Sequence, residues 1–420
     1  MIRVGILTFH KSINYGAFMQ SYSLAKRLEK DFANCQIEII DYMTRRMYDN
    51  YSKNKWIYSL SYMKTIKKNG WLKVIKVSLS RVNNAFLKKN FWKERISLIN
   101  AFEREWGELP LSQNTIISDD YNRVFYELKD KYDILITGSD CVWEFINYPF
   151  PNVYFLNEDM ASFYVSYAAT SDRMNVNELS EKEANYIRQA LERYSYVGIR
   201  DTATQNLLSG LNCRKQLYHN CDPTIFLQMN LLSDYRTKAK KKLALHGISF
   251  SKKIIFIMGT EEIGQMVRNI FGTVYQLVSV YSANRYTDVF LDDLTPLEWS
   301  QVFSFGELTY SNYFHGTILS LKNLTPCLFF DYAISFDEGD KTKGKDLLDR
   351  LGLNFLYHRR TDIKNCRKQI SELSNSLLEN PIKDKISEGL AREGLSYNSF
   401  KEYMSSAIQN LTGESIIENN

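Results

Sequence analysis

The sequence predicts an α/β protein: two Rossmann-like, doubly wound domains facing a cleft, with a basic helical insertion and a helical C-terminal tail. Three observations lead there. At 420 residues the chain is too long for one ordinary core, so two domains are expected. With 44% hydrophobic and 14% aromatic residues, it has material for two cores. Two segments, Gly138-Ser139-Asp140-Cys141-Val142-Trp143 and Ser311-Asn312-Tyr313-Phe314-His315-Gly316-Thr317, each follow an apolar run that reads as a buried parallel strand. In open α/β sheets, ligands bind beyond the carboxyl ends of the strands. One such edge in each half implies a cleft between two similar domains.

The elements follow in order. Arg3 to Phe9 is a strand, His10 to Gly16 a polar loop, and Phe18, Tyr22, Leu24, Ala25 and Leu28 recur at helical spacing. Gln36 to Asp41 returns as the second strand, completing a βαβ opening. A helix around Tyr121 to Lys131 feeds the strand Asp133 to Thr137. The strand Ala161 to Ala169, the helix Glu181 to Arg193 and the strand Tyr196 to Arg200 complete residues 1–226, with the insertion at about 44–113. The second domain, 227–360, reads as strands at Lys252 to Gly259, Val274 to Tyr281, Leu308 to Tyr310 and Pro326 to Asp331. Between them lie a helix at Pro296 to Phe305 and another starting at Thr317. Residues 361–420, rich in Lys, Glu, Ser and Leu, predict a helical tail that crosses back to brace the domains.

Charge is unevenly placed. The formal net charge is +5, yet from Arg45 to Arg95 fourteen Lys and Arg stand against two acids, so the remainder is acidic. That stretch also carries Tyr51, Trp56, Tyr58, Tyr62, Trp71, Phe86, Phe91 and Trp92. Cations with interleaved aromatics suit peripheral contact with an anionic membrane through 45–95. A solvated helical pair whose aromatics pack on the domain fits equally well, and nucleic acid fits less. The six cysteines show no CxxC pair, so reduced structural thiols and a cytoplasmic protein are expected. No apolar window is long enough to span a bilayer, and Met1 to Phe9 is too quickly polar for a signal peptide. No metal motif or Walker-type loop is present, so no metal is expected.

His315 is the foremost chemical candidate. It stands between strand and helix, where unpaired amides at Gly316 and Thr317 favour an anion, and a histidine there can move a proton near neutral pH. A packing or capping histidine has equal standing on spacing alone. Arg200, ahead of Asp201, offers a planar fork for carboxylate or phosphate, against a local ion pair. Asp140 is the candidate base for a sugar hydroxyl, against a helix cap. Asn14, Tyr15, Gly16, Gln20, Ser139 and Asp222 are candidate substrate contacts, on the acceptor side in the resemblance described next; Asp222-Pro223-Thr224 also reads as a turn cap.

In order along the chain, six segments resemble the polysaccharide pyruvyl transferase family over about positions 3 to 352. They are Val4-Gly5-Ile6-Leu7-Thr8 with Asn14-Tyr15-Gly16-Ala17, then Gly138 to Trp143, Ser166-Tyr167-Ala168-Ala169, Arg200-Asp201, Asp222-Pro223-Thr224, and Phe314-His315-Gly316-Thr317 with Pro326. The resemblance implies a GT-B-like fold with its site between the domains. It also implies transfer of the pyruvyl group of phosphoenolpyruvate onto two hydroxyls of a sugar in a surface-polysaccharide precursor, such as that of an exopolysaccharide or capsule. A ketal forms and phosphate leaves; phosphoenolpyruvate is co-substrate and no cofactor is expected. His315 is then the histidine near the donor, as acid or phosphate-binding group, and Arg200 a donor contact. Two positions depart from the pattern: Tyr313 stands where some members carry arginine, and Ala17 where some carry an acid. Lys341, Lys343 or Lys345 could restore the missing donor-side charge, with Lys343 preferred. The acceptor is a saccharide, a lipid-linked precursor being one form, with the protein at the inner face of the membrane. The competing expectations are a nucleotide-sugar glycosyltransferase on the same architecture and an inactive saccharide-binding relative.

Overall fold

The computed structural model describes residues 1–51, 91–145, 148, 150–172, 174–332 and 342–413. Its first half contains β1 (Ile2–Leu7), β2 (Cys35–Ile39), a short parallel pair β3 (Tyr42–Met43) and β4 (Ile116–Ile117), then β5 (Ile134–Thr137), β6 (Phe163–Ala169), β7 (Tyr196–Ile199) and β8 (Leu217–His219). Six of these form a parallel sheet in the order β2-β1-β5-β6-β7-β8. The second half contains β9 (Ile254–Met258), β10 (Gln276–Ser279), β11 (Val289–Phe290), β12 (Gly306–Ser311), β13 (Cys327–Asp331) and β14 (Tyr357–Arg359), in the order β11-β10-β9-β12-β13-β14. The central strands are buried along their length: Ile134–Thr137 and Ile254–Met258 have no exposed residue. Helices on both faces of a parallel sheet require such continuous apolar runs.

Both sheets reverse direction of growth once, between β1 and β5 in the first and between β9 and β12 in the second. Crevices open at such switch points. The two loops singled out in the sequence, after β5 and after β12, leave the sheets at these two places. The halves are also fused by packing. One continuous apolar core holds Val4, Ile6 and Ile136 of the first sheet together with Phe256, Met258 and Val278 of the second.

The tail folds into helices Arg367–Glu379, Lys383–Gly394 and Asn398–Thr412. It returns to the first half, where Asn220 Nδ2 donates to Ser396 O (3.0 Å) and Lys401 Nζ reaches Asp31 (3.3 Å). Glu393 binds His219 of the first half and Arg350 of the second, each at 3.0 Å. One carboxylate thus ties three parts of the chain.

Several boundaries differ from expectation. The helix after β12 begins at Phe314 rather than Thr317, because Thr317 N already donates to Tyr313 O at 3.0 Å. His315 therefore sits within the first helical turn. β8, β11 and β14 were invisible because strands of two or three residues carry no periodicity. Of the basic stretch, helices Arg45–Tyr51 and Phe91–Glu105 flank residues 52–90, so most of the expected membrane-facing segment lies outside the described residues. No helix among the described residues is long and apolar enough to cross a membrane. All six cysteines are free, with Cys221 and Cys327 buried.

Candidate active site

A cavity of about 480 Å³ lies between the two switch points. Asn14 and Gly16 reach it after β1, and Asp140, Cys141, Glu144 and Tyr148 after β5. From the other half come Tyr281 after β10, Trp299, and Asn312, Tyr313, Phe314, His315 and Gly316 after β12. Phe9, Arg46, Met47 and Lys343 complete the lining.

An ionic cluster lies in the wall. Arg200 Nη1 donates to Asp222 Oδ2 at 2.9 Å, and Nη2 to Asp140 Oδ1 at 3.4 Å. His315 Nε2 lies 3.2 Å from Asp222 Oδ2, off the line of a hydrogen bond. Asp222 Oδ1 caps the following turn, accepting from Thr224 N (3.0 Å) and Thr224 Oγ1 (2.6 Å). Burial pushes the carboxyls of Asp140 and Asp222 up, yet neighbouring cations win. Arg200, with His315 and Lys343, holds Asp140 below its ordinary range, and His315 with Arg200 holds Asp222 lower still. Both are carboxylates at neutral pH. Two carboxylates, Asp140 and Asp222, thus share the one Arg200 guanidinium. The His315 imidazole lines the cavity with Asp222 beside it.

Arg200 is only 1% exposed and does not line the cavity. Its guanidinium carbon lies 4.8 Å from the Phe314 ring centroid. The expected direct donor contact is therefore corrected: Arg200 stands behind the wall and positions Asp140 and Asp222. Asp222, expected on the acceptor side, is likewise buried and serves His315. Gln20 and Ser139, also expected to meet acceptor, are fully buried. Ser139 Oγ donates to Gln20 Oε1 (2.8 Å) and Gln20 Nε2 to Phe9 O (2.8 Å), so the pair laces the two first-half loops together. Tyr15 leaves the acceptor set too. Its ring stacks on Trp299 at 4.5 Å and its hydroxyl donates to Leu294 O at 2.8 Å, joining the halves. Thr317, expected to bind donor, is buried and donates Oγ1 to Tyr313 O at 3.0 Å. Those sites were misassigned because a polar residue at a strand end looks the same whether it faces ligand or another loop.

Asn14, Gly16, Asp140, Tyr313, His315, Gly316 and Lys343 do line the cavity. Asn14 caps the first helix (Tyr15–Asp31), its Oδ1 accepting from Gly16 N at 2.9 Å. Gly138, at φ +105, could not carry a side chain: its Cβ would fall 2.2 Å from Tyr167 O. Asp140 follows at φ +78, a conformation Asp tolerates better than most residues. Tyr313 packs against Tyr281, ring centroids 4.1 Å apart. Lys343 Nζ lies 3.7 Å from Cys141 Sγ and 3.4 Å from Asp172 Oδ1. Cys141 and Asp172 raise the Lys343 pKa against burial. Burial pushes the Cys141 thiol itself well up, so at neutral pH Asp172 is the charge that Lys343 meets. Of the other two lysines, Lys341 lies outside the described residues and Lys345 pairs with Asp349 on its own helix.

The sequence reading missed Arg46, Glu144, Tyr148, Tyr281 and Asn312. Glu144 and Tyr148 lie just past the recognised Gly138 to Trp143 segment, whereas Arg46 was lost among the cations around it. Among the described residues one group could ligate a metal, His246 with Asp292 and Asp293. None of the three lines the cavity, and the Lys242 ammonium lies 3.7 Å from Asp293.

The model of the polysaccharide pyruvyl transferase family matches residues 14–334, from the Asn14 loop past the His315 helix. The chain belongs to that family. No curated protein matches it. Its solved neighbours are GT-B enzymes at very low identity. UDP-GlcNAc 2-epimerase from Neisseria meningitidis, solved with UDP-GlcNAc, is 12% identical, covering 98% of this chain and 100% of its own, with TM-score 0.52. The Methanocaldococcus jannaschii UDP-GlcNAc 2-epimerase is 11% identical, covering 94% and 100%, with TM-score 0.50. These likenesses establish the GT-B fold of this pyruvyl transferase family member.

Within that fold, Gly16 packs flat on the histidine. A Cβ there would lie 2.0 Å from His315 Nδ1. Gly16→Ala is expected to displace the imidazole and lower kcat by about 10²-fold, the scale of an ångström's misplacement at a reacting centre. Steady-state turnover alongside thermal unfolding checks this; wild-type kcat in a folded variant would show the imidazole is not held there.

Proposed function

We propose that the protein transfers the pyruvyl group of phosphoenolpyruvate onto two hydroxyls of a saccharide, forming a ketal and releasing phosphate. The observation that carries the reading is His315, held 3.2 Å from buried Asp222 on the cavity wall of a pyruvyl transferase family member. Protonation of the donor methylene makes C2 electrophilic. One sugar hydroxyl adds to C2 and loses its proton, the C2–O bond to phosphate breaks, and the second hydroxyl closes the ring. Of the two hydroxyl protons released, one replaces the proton given to the methylene and the other departs with phosphate.

In this reading His315 is the acid that protonates the donor methylene. Asp140, ionised and at the cavity edge, accepts the proton of the attacking hydroxyl. A carboxylate of low basicity suffices, because that hydroxyl becomes strongly acidic as its oxygen bonds to C2. Lys343 and the first amides of the helix Phe314–Lys322 face the donor's anionic groups. Asn14 and Gly16 border the acceptor side. A surface-polysaccharide precursor is the proposed acceptor, held near an anionic membrane by the basic stretch.

The test is phosphate release from phosphoenolpyruvate by purified protein, with lipid-linked and free galactosides, glucosides and mannosides. Acceptor-dependent release with a product heavier by a pyruvyl ketal is expected. Transfer from a nucleotide sugar, with phosphoenolpyruvate untouched, would replace this reading with a glycosyltransferase. Saccharide binding without any turnover would point instead to an inactive relative.

A further inference from the structure

The donor in this reading carries a phosphate and a carboxylate, yet the cavity is poor in available positive charge. Asp140 and Glu144 line it, with Asp222 just behind. Arg200 is spent on Asp140 and Asp222, and Lys343 lies 3.4 Å from Asp172. Tyr313, on the second-half wall, brings no charge. Among the described residues, one cationic side chain besides Lys343 and His315 lines the cavity. Arg46 is exposed, lines the same cavity, and makes no ion pair among the described residues. Its backbone is anchored on both sides. Arg45 N donates to Asp119 Oδ1 at 2.9 Å, and Met47 N to Thr44 Oγ1 at 3.1 Å, while the Met47 side chain is buried beside the cavity.

We propose that Arg46 is a donor-binding residue, closing on the anionic donor and supplying from the first domain the charge that Tyr313 lacks in the second. This rests on phosphoenolpyruvate being the donor. A guanidinium fits phosphate or carboxylate through two parallel hydrogen bonds, and its contact with an anion is charge-assisted. Because the cation comes from the opposite half of the cleft, donor binding would also draw the two walls together.

The experiment measures phosphoenolpyruvate binding by calorimetry and steady-state kinetics in wild type, Arg46→Gln, Arg46→Lys and Arg45→Gln. Arg46→Gln is expected to raise Kd and KM for phosphoenolpyruvate about 10- to 100-fold, the loss of one charge-assisted contact. Acceptor KM should stay unchanged, which also reports an intact fold. Arg46→Lys should recover part of the loss. The dependence of donor KM on ionic strength should flatten in Arg46→Gln, because a screened attraction has gone. Arg45, outside the cavity, serves as control, and its variant should match wild type. Wild-type donor binding in Arg46→Gln, or an equal loss in Arg45→Gln, would overturn the assignment. Failure of the wild-type protein to bind phosphoenolpyruvate would instead overturn the donor reading on which it stands.

Discussion

His315→Gln is expected to lower kcat by about 10²- to 10⁴-fold, the range general acid catalysis supplies, while leaving the fold intact. The side chain is mostly buried, bordered by Asp222 at 3.2 Å and by the Gly16 backbone. Glutamine keeps a polar group facing Asp222 but cannot deliver a proton to carbon. Acceptor-dependent phosphate release measures the loss, and donor binding measured separately distinguishes acid from anchor. A fall in kcat with donor affinity kept assigns His315 to proton transfer. Lost affinity with kcat kept would make it a phosphate ligand. Unchanged kinetics would remove it from the site.

Arg200→Leu is expected to destabilise the protein by about 3–5 kcal/mol, the cost of leaving buried charges without their partner. Arg200 and Asp222 are each about 1% exposed at their side chains, and Asp140 about 11%. Chemical denaturation measures the effect, and a midpoint equal to wild type would show that Arg200 holds neither carboxylate. The pH dependence has a defined sign. In the native protein Asp140 and Asp222 titrate below their ordinary value of 3.8. Their contribution to stability is therefore present above about pH 4 and lost as pH falls through their native pKa values. In Arg200→Leu the carboxyls lose the cation that keeps them ionised. The gap between variant and wild type should narrow on acidification, and a gap that widened would contradict this account.

The structure was partly legible in sequence because its central strands are apolar on both faces. Ile254–Met258 and Ile134–Thr137 stand out as unbroken runs, and a helix after each leaves only a parallel sheet as a way to bury them. The edge strands β8, β11 and β14 did not stand out, since they are short and half exposed. The place of His315 and Asp140 in the cavity lining was legible because each follows a strong strand. Gln20, Ser139 and Thr317 read the same way, yet their hydrogen bonds run to neighbouring loops. Arg46 could not be picked from fourteen cations in 45–95, since charge alone does not say which one borders a cavity.

The sequence by itself determined the fold class, the family and the two strand ends that border the cavity. Hydrophobic periodicity and short ordered motifs are properties of neighbours along the chain, and they survive without coordinates. Only the tertiary structure decided which polar groups face the cavity and which face one another. Asp140, Arg200, Asp222 and His315 belong to four separate segments, and the fold brings their polar atoms within 2.9 to 3.4 Å of one another, where electrostatic coupling is strongest. That proximity arises when two sheets, each crossing over at its own centre, pack through a shared core, and no spacing along the chain encodes it.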